Sequence, residues 1–169
     1  MLIIGTTRFN NTTWKENCVW REKTRHVGCA YGVMKMVGVN IPLNSSIFVL
    51  EMNNSTNKIM GIGLVVNRPD PSENVRIYRD YNYCCYLYGG KYRIDRSACS
   101  NREKIILEIL EYLVFKNKTH LKRGQGITSL PFDMVKKVLD KGMDLNYEIK
   151  RMFTTRFSHS SLGSGIEGV

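Results

Sequence analysis

The chain has 169 residues, 43% hydrophobic and 24% charged, a balance near the globular average that excludes collagen-like, coiled-coil and wholly disordered proteins. Its 25 Lys and Arg stand against 15 Asp and Glu, a formal net charge of +10, and a surplus of that size attracts polyanions through long-range fields and counterion release. Nucleic acid, RNA or DNA, therefore leads the expected partners, ahead of an anionic membrane surface.

At roughly 100–200 residues per domain the length suits one domain, expected over residues 1–157, with a small, polar, flexible tail over 158–169. The longest apolar runs, Ile47 to Leu50 and Ile59 to Val66, fall far short of the ~20 residues of a spanning helix, so no membrane partner is expected. Met1-Leu2-Ile3-Ile4 lacks the basic start and long apolar region of a signal peptide, and an intracellular location, cytoplasmic or nuclear, is expected.

Leu2 to Thr7 reads as a first strand, and Asn11-Thr12-Thr13 offers an N-cap for a helix from Thr13 to about Lys23, with Trp14, Asn17, Cys18 and Arg21 near one face. His26 to Val39, with Gly28, Gly32 and Gly38, has loop composition. Ile47 to Met52 and Lys58 to Val66 flank the polar connector Asn53 to Asn57, a β-hairpin pattern. Gly61 and Gly63 alternate in the second arm, so their missing side chains share one face and mark a bend, a bulge or the close approach of another backbone.

Arg68 to Asn74 is a loop by its two prolines, and Val75 to Tyr78 regains strand character. Tyr81, Tyr83, Tyr86, Tyr88 and Tyr92 crowd a segment broken by Gly89-Gly90. Lys91 to Arg96 alternates basic and apolar residues, as a half-exposed strand does. Glu103 to Phe115 places Ile106, Ile109, Leu110 and Leu113 at helical spacing behind a Ser100 or Asn101 cap. A basic loop or short strand, Phe115 to Gly126, leads to the apolar run Ile127 to Leu130. Pro131 then opens a helix through Val135 and Val138, and Asp144 to Phe153 forms one more.

The five cysteines, Cys18, Cys29, Cys84, Cys85 and Cys99, lack the paired C-x-x-C spacing of a zinc site and read as small buried hydrophobes. No H-E-x-x-H, G-x-S-x-G, Walker loop or dinucleotide fingerprint occurs. His26, His120 and His159 are scattered, and Asp70, Glu73, Asp80 and Asp95 lack the spacing of a metal-dependent nuclease. Cys29 with His26 is a nucleophile and base on paper only, because catalytic partners are set by the fold and not by adjacency. No catalytic residue, metal site or cofactor is assigned, and a non-enzymatic protein is expected.

The order of elements resembles the PUA-like superfamily, and within it the YTH and EVE domains, over roughly residues 2–140. Ile47 to Asn54 leading into Lys58 to Val66 looks like the family's central hairpin with its G-x-G/A arm. Gly89-Gly90-Lys91-Tyr92-Arg93-Ile94 is similar to the following G-K-[FY] strand. Arg123-Gly124-Gln125-Gly126-Ile127 before Leu130-Pro131-Phe132 resembles the YTH segment in which an arginine-containing loop precedes a proline and a short helix. The resemblance implies an α+β fold, a curled mixed β-sheet or β-barrel flanked by helices, with a pocket that receives one flipped base. YTH domains hold methylated adenine in an aromatic cage, and EVE domains are linked to modified DNA bases.

An extruded base is held between aromatic faces and read along its edge. The aromatic residues available for a base pocket are Trp14, Trp20, Tyr81, Tyr83 and Tyr86; the alternative for Trp14 and Trp20 is core packing. For phosphates, Lys116, Lys118, His120 and Lys122 share one face if extended, Arg123 adds a fork, and Lys91 and Arg93 alternate on their own strand. The alternative there is a solvated charged loop. The expected function is a non-catalytic module that binds single-stranded or base-flipped nucleic acid, the base methylated or plain. The alternative is a structural or packaging protein that uses the same basic surface.

Overall fold

The computed structural model describes residues 3–70, 75–116 and 118–158. The run Ser46–Asn53 is apolar on both faces, which a strand tolerates where both faces are covered, and this strand lies inside the sheet. In chain order, Ile3–Phe9 is β1, Asn11–Lys23 is α1, Cys29–Val33 is β2, Ser46–Asn53 is β3, Lys58–Val66 is β4, Tyr86–Gly90 is β5 and Tyr92–Asp95 is β6. Asn101–Glu111 is α2, Thr128–Ser129 is β7, Phe132–Leu139 is α3 and Leu145–Phe157 is α4. Five strands form a mixed sheet in the order β6-β4-β3-β1-β7, with β1 parallel to β3 and the other pairs antiparallel.

Alternation along β3 divides the interior into two cores. Phe48, Leu50 and Met52 face the layer of α2, α3 and α4, where Ile106, Leu110, Ile149 and Phe153 bury their side chains. Ile47 and Val49 face the opposite way, against Tyr31, Val33, Tyr78 and Tyr88. β2 and β5 make a separate antiparallel ladder on that second face.

The α+β class, the mixed sheet and the flanking helices agree with the sequence. A closed barrel is absent among the described residues, because β6 and β7 are the two edges of the sheet and the β2–β5 ladder stands apart. The hairpin, the helix from Asn101 and the Pro131-led helix form as the periodicity indicates. The α1 cap is Asn10, one residue before the expected triplet, with Thr13 reciprocating.

Two expectations require correction, and one alternative is decided. Val75 to Tyr78 is not a strand, and Ile77 and Tyr78 are buried in succession, where a strand would alternate. The glycine-bearing segments assigned to loop and break form β2 and run through Gly89-Gly90 in β5. Of the two alternatives for the basic segment before Gly124, loop or short strand, the described residues take the loop: α2 passes into a π-helical turn at Tyr112–Lys116, and turns follow from Lys118. The expected tail lies outside the described residues from 159 onward. No helix among the described residues is long and apolar enough to cross a membrane.

The shared face of Gly61 and Gly63 has a specific use. A Cβ on Gly63 would stand 2.1 Å from Tyr31 Oη and 2.6 Å from Cys29 Sγ, and one on Gly61 would stand 2.7 Å from Glu51 Oε2. The β2–β5 ladder and a buried polar group therefore press directly on bare backbone. Gly63→Ala is expected to cost about 1–3 kcal/mol or more through overpacking, read as a lower urea midpoint at unchanged m-value.

On the helical face, Arg156 of α4 pairs with Glu103 of α2. Its hydrogen bonds hold the Glu103 carboxyl at about 2, against an ordinary 4.5. A carboxyl depressed in the folded state stabilises fully above its unfolded pKa, and that stabilisation fades as pH falls from 4.5 toward 2. Arg156→Met is expected to flatten this part of the acid-stability profile, measured as Tm against pH.

Candidate functional site

β1 alternates like any strand, so Thr7 and Phe9 point to the second core face and Thr6 and Arg8 point away from it. Beyond its C-terminal end, the start of α1, Gly32-Val33 of β2, the Tyr78 and Tyr83 segment and the loop Gly124 to Gly126 surround a cleft of about 120 Å3. That is well below the ~300–1,000 Å3 of a drug-sized site and suits one small planar group. Phe9 and Tyr78, ring centroids 6.5 Å apart, give it an aromatic wall. Tyr83 stands edge-on to Tyr78 at 6.1 Å and remains 39% exposed, which leaves ring surface for a ligand.

Thr7 and Arg8 are among the residues that line the cleft. Thr7 is 6% exposed, and among the described residues its hydroxyl makes no hydrogen bond. Arg8 donates through Nε to Leu121 O at 2.7 Å, through Nη1 to Thr6 O and Gly126 O at 3.3 Å each, and through Nη2 to Thr128 Oγ1 at 2.8 Å. These four bonds use four of the five guanidinium N–H groups. Among the described residues no carboxylate pairs with Arg8. Burial lowers its pKa to about 10, so the charge persists at neutral pH with no counter-ion. Arg8 also straps the 121–126 loop onto β1, and it lies so close that a Cβ on Gly124 would meet Cζ at 2.4 Å.

The wall rests on a buried ionic group. Glu51, 1% exposed, accepts from Tyr31 Oη at 2.8 Å and from Arg93 Nε and Nη2 at 2.9 and 2.7 Å, while Arg93 Nη1 reaches Asp95 at 2.8 Å. Burial alone would lower the Arg93 pKa, but Glu51 and Asp95 raise it overall. Burial pushes the Tyr31 and Tyr78 phenols up and the Cys29 thiol up to about 12. Asn17 of α1 ties the wall to the helix, donating to Ala30 O at 2.7 Å and Tyr78 Oη at 3.0 Å.

The structure distributes the sequence-selected residues widely. Of the five aromatics, only Tyr83 lines the cleft. Trp14 is half-buried, edge-on to Phe9 at 5.1 Å, with the Arg21 and Arg93 guanidinium carbons 5.7 and 5.6 Å from its ring. Trp20 packs beside His26 at 5.5 Å, and Tyr86 packs against the second core. Tyr81 is exposed, stacked under Arg76 at 3.9 Å. Arg93 is only 6% exposed at its side chain and is committed to Glu51 and Asp95, so it presents no free charge. Lys91 is exposed but does not line the cleft, and Lys116 and Lys118 are exposed on a path that does not alternate. Lys122 and Arg123 immediately precede the lining glycines, with Lys122 Nζ 5.8 Å from the Phe115 ring.

Sequence reasoning missed Thr7, Arg8, Phe9 and Tyr78. It also missed a neighbouring groove of about 670 Å3 lined by Lys15, Trp20, Lys23, Arg76 and Arg79, with Arg79 3.7 Å from Glu16 of the same lining. Only the alternation of β1 hinted at Thr7 and Phe9. Cys85 is exposed and Cys18 and Cys84 are half-exposed, so only Cys29 and Cys99 fit the expected burial. Among the described residues no cluster of three His, Cys, Asp or Glu side chains could hold a metal ion. Comparisons with protein-family models, with curated proteins and with solved structures find no match.

Because Glu51 is the only acceptor among the described residues that meets both Tyr31 and Arg93, Glu51→Gln is expected to leave Arg93 buried with half its compensation. The loss expected for breaking a buried pair is about 3–5 kcal/mol, measurable by urea denaturation.

Proposed function

We propose that the chain is a PUA-like module of YTH or EVE type that binds single-stranded or base-flipped nucleic acid, taking one base, methylated or plain, into the cleft. The observation that carries this reading is one small cleft with an aromatic wall and a free tyrosine ring beside a strongly cationic surround. A flat heterocycle fits the Phe9, Tyr78 and Tyr83 surfaces, and stacking contributes about 1–3 kcal/mol per base. Phosphates flanking that base meet Lys122 and Arg123, which precede the lining loop Gly124 to Gly126, and Lys15, Lys23 and Arg76 of the neighbouring groove. Those contacts position the strand and carry most of the salt dependence, while the cleft supplies any selectivity. The PUA-like part of the reading rests on the sequence resemblance of the glycine-bearing hairpin, the G-K-[FY] strand and the loop before Pro131.

Tyr83→Ala is expected to weaken binding of a short single-stranded oligonucleotide by about 1–3 kcal/mol while leaving the salt slope unchanged. Lys122→Glu with Arg123→Glu should weaken all sequences alike and reduce the slope, both read by fluorescence anisotropy at two salt concentrations. Binding insensitive to Tyr83 but steeply salt-dependent would instead favour a packaging protein acting through its basic surface. No binding to any oligonucleotide would exclude both.

A further inference from the structure

α3 buries Met134 and Val138 in the core beneath it, which accounts for one of its faces. Phe132, Val135 and Leu139 recur at i, i+3 and i+7 and form a second apolar stripe, in which Phe132 is 76% and Leu139 52% exposed. The stripe borders a groove of about 390 Å3 that Ile3, Ile4, Ile41 and Leu130 also line. Val39 and Leu43, two residues to either side of Ile41, are exposed as well. Apolar side chains gathered at the surface in this way mark an interaction site. Charge decides what fits it. The chain carries +10, but Asp133, Lys136, Lys137 and Asp140 cancel along this helix and its cap, so the surface has no particular attraction for a polyanion. Lys136 and Asp140 line the groove one turn apart, and among the described residues neither is in an ion pair. One unpaired cation and one unpaired anion beside an apolar stripe make a surface complementary to itself under a two-fold rotation, which sets each charge against its opposite.

We propose that this face receives a second copy of the chain, with α3 antiparallel to its counterpart about a two-fold axis near Leu139. Lys136 of each copy then meets Asp140 of the other, Leu139 packs against Leu139, and the Phe132 ring is covered by the other copy's groove. The apolar contacts supply the affinity, with Phe132 as the aromatic anchor, and the two ion pairs fix the register. α3 has eight residues, so the interface belongs to the small end of the range and the dimer dissociates on dilution. The groove lies at the start of β1, beside Ile3 and Ile4, whereas the aromatic cleft lies beyond its other end at Phe9. Association therefore leaves both clefts open, and the inference stands independently of what the cleft binds.

The test is sedimentation equilibrium of the full chain across micromolar concentrations, where the wild type is expected to pass from monomer to dimer. Lys136→Glu and Asp140→Lys each set like charges opposite one another in the homodimer, and each alone should weaken association at least about tenfold. Phe132→Ala should do the same by removing the anchor. All three side chains are exposed, so the urea midpoints should stay near wild type. Mixing the two charge variants in equal amounts restores both ion pairs. The mixture should therefore form a heterodimer at concentrations where neither variant associates alone, a recovery that unfolded variants could not give. A wild-type chain that stays monomeric throughout overturns the inference, whatever else covers the stripe. A dimer that all three substitutions leave intact uses another face and overturns it too, as does a mixture that fails to recover. Assembly that grows beyond the dimer also overturns it, because a two-fold contact closes on itself.

Discussion

The two-sided use of the sheet depends on the Glu51 carboxylate. A glutamate at 1% exposure in an otherwise apolar strand costs several kcal/mol of desolvation unless its charge is matched and its lone pairs are filled. Arg93 from β6 and Tyr31 from β2 do both, and in doing so they join three strands that no single ladder connects. Gly61 and Gly63 make room for this by leaving the intervening strand without side chains. The four features form one device: the carboxylate needs its partners, the partners need close approach, and close approach needs the glycines.

That device sets the floor on which the cleft stands. Tyr31 packs 6.4 Å from Phe9, and Arg93 approaches Trp14, which packs edge-on against Phe9. The wall ring is thus braced from the ionic group on one side and through Asn17 and Tyr78 on the other. Trp14 serves this bracing, while Trp20 packs beside His26 and lines the neighbouring groove. Their aromatic faces are already met by Phe9, two guanidinium groups and an imidazole. A tryptophan on the buried side of a helix and one in a cage look alike in sequence, because both follow from the preference of a large ring for partial burial.

Periodicity made the hairpin, α2 and α3 legible, since each buries one regular face or both. β2 and β5 escaped notice because Gly32, Gly89 and Gly90 lower strand propensity, while their pairing depends on distant backbone that no local pattern encodes. Arg93 read as surface charge because alternation with Tyr92 and Ile94 gives its direction but not its partner. The basic run after α2 was legible in charge and not in path: the π turn at Tyr112–Lys116 breaks the alternation that would have put its lysines on one face. Arg8 was invisible for a related reason. A lone arginine in an apolar strand is ordinary, and its meaning comes from residues more than a hundred positions away.

Two partly buried arginines, Arg93 and Arg8, are held in opposite ways. Arg93 and Arg8 are both desolvated, but Arg93 has a carboxylate on each side, and its pKa rises above the ordinary value. Arg8 has only carbonyl and hydroxyl acceptors, and its pKa falls to about 10. A fold that needed only a strap for the 121–126 loop could use a neutral donor at far smaller desolvation cost. Arg8 instead keeps its charge and spends it on four acceptors of β1, the 121–126 loop and β7, so that one side chain ties the three together.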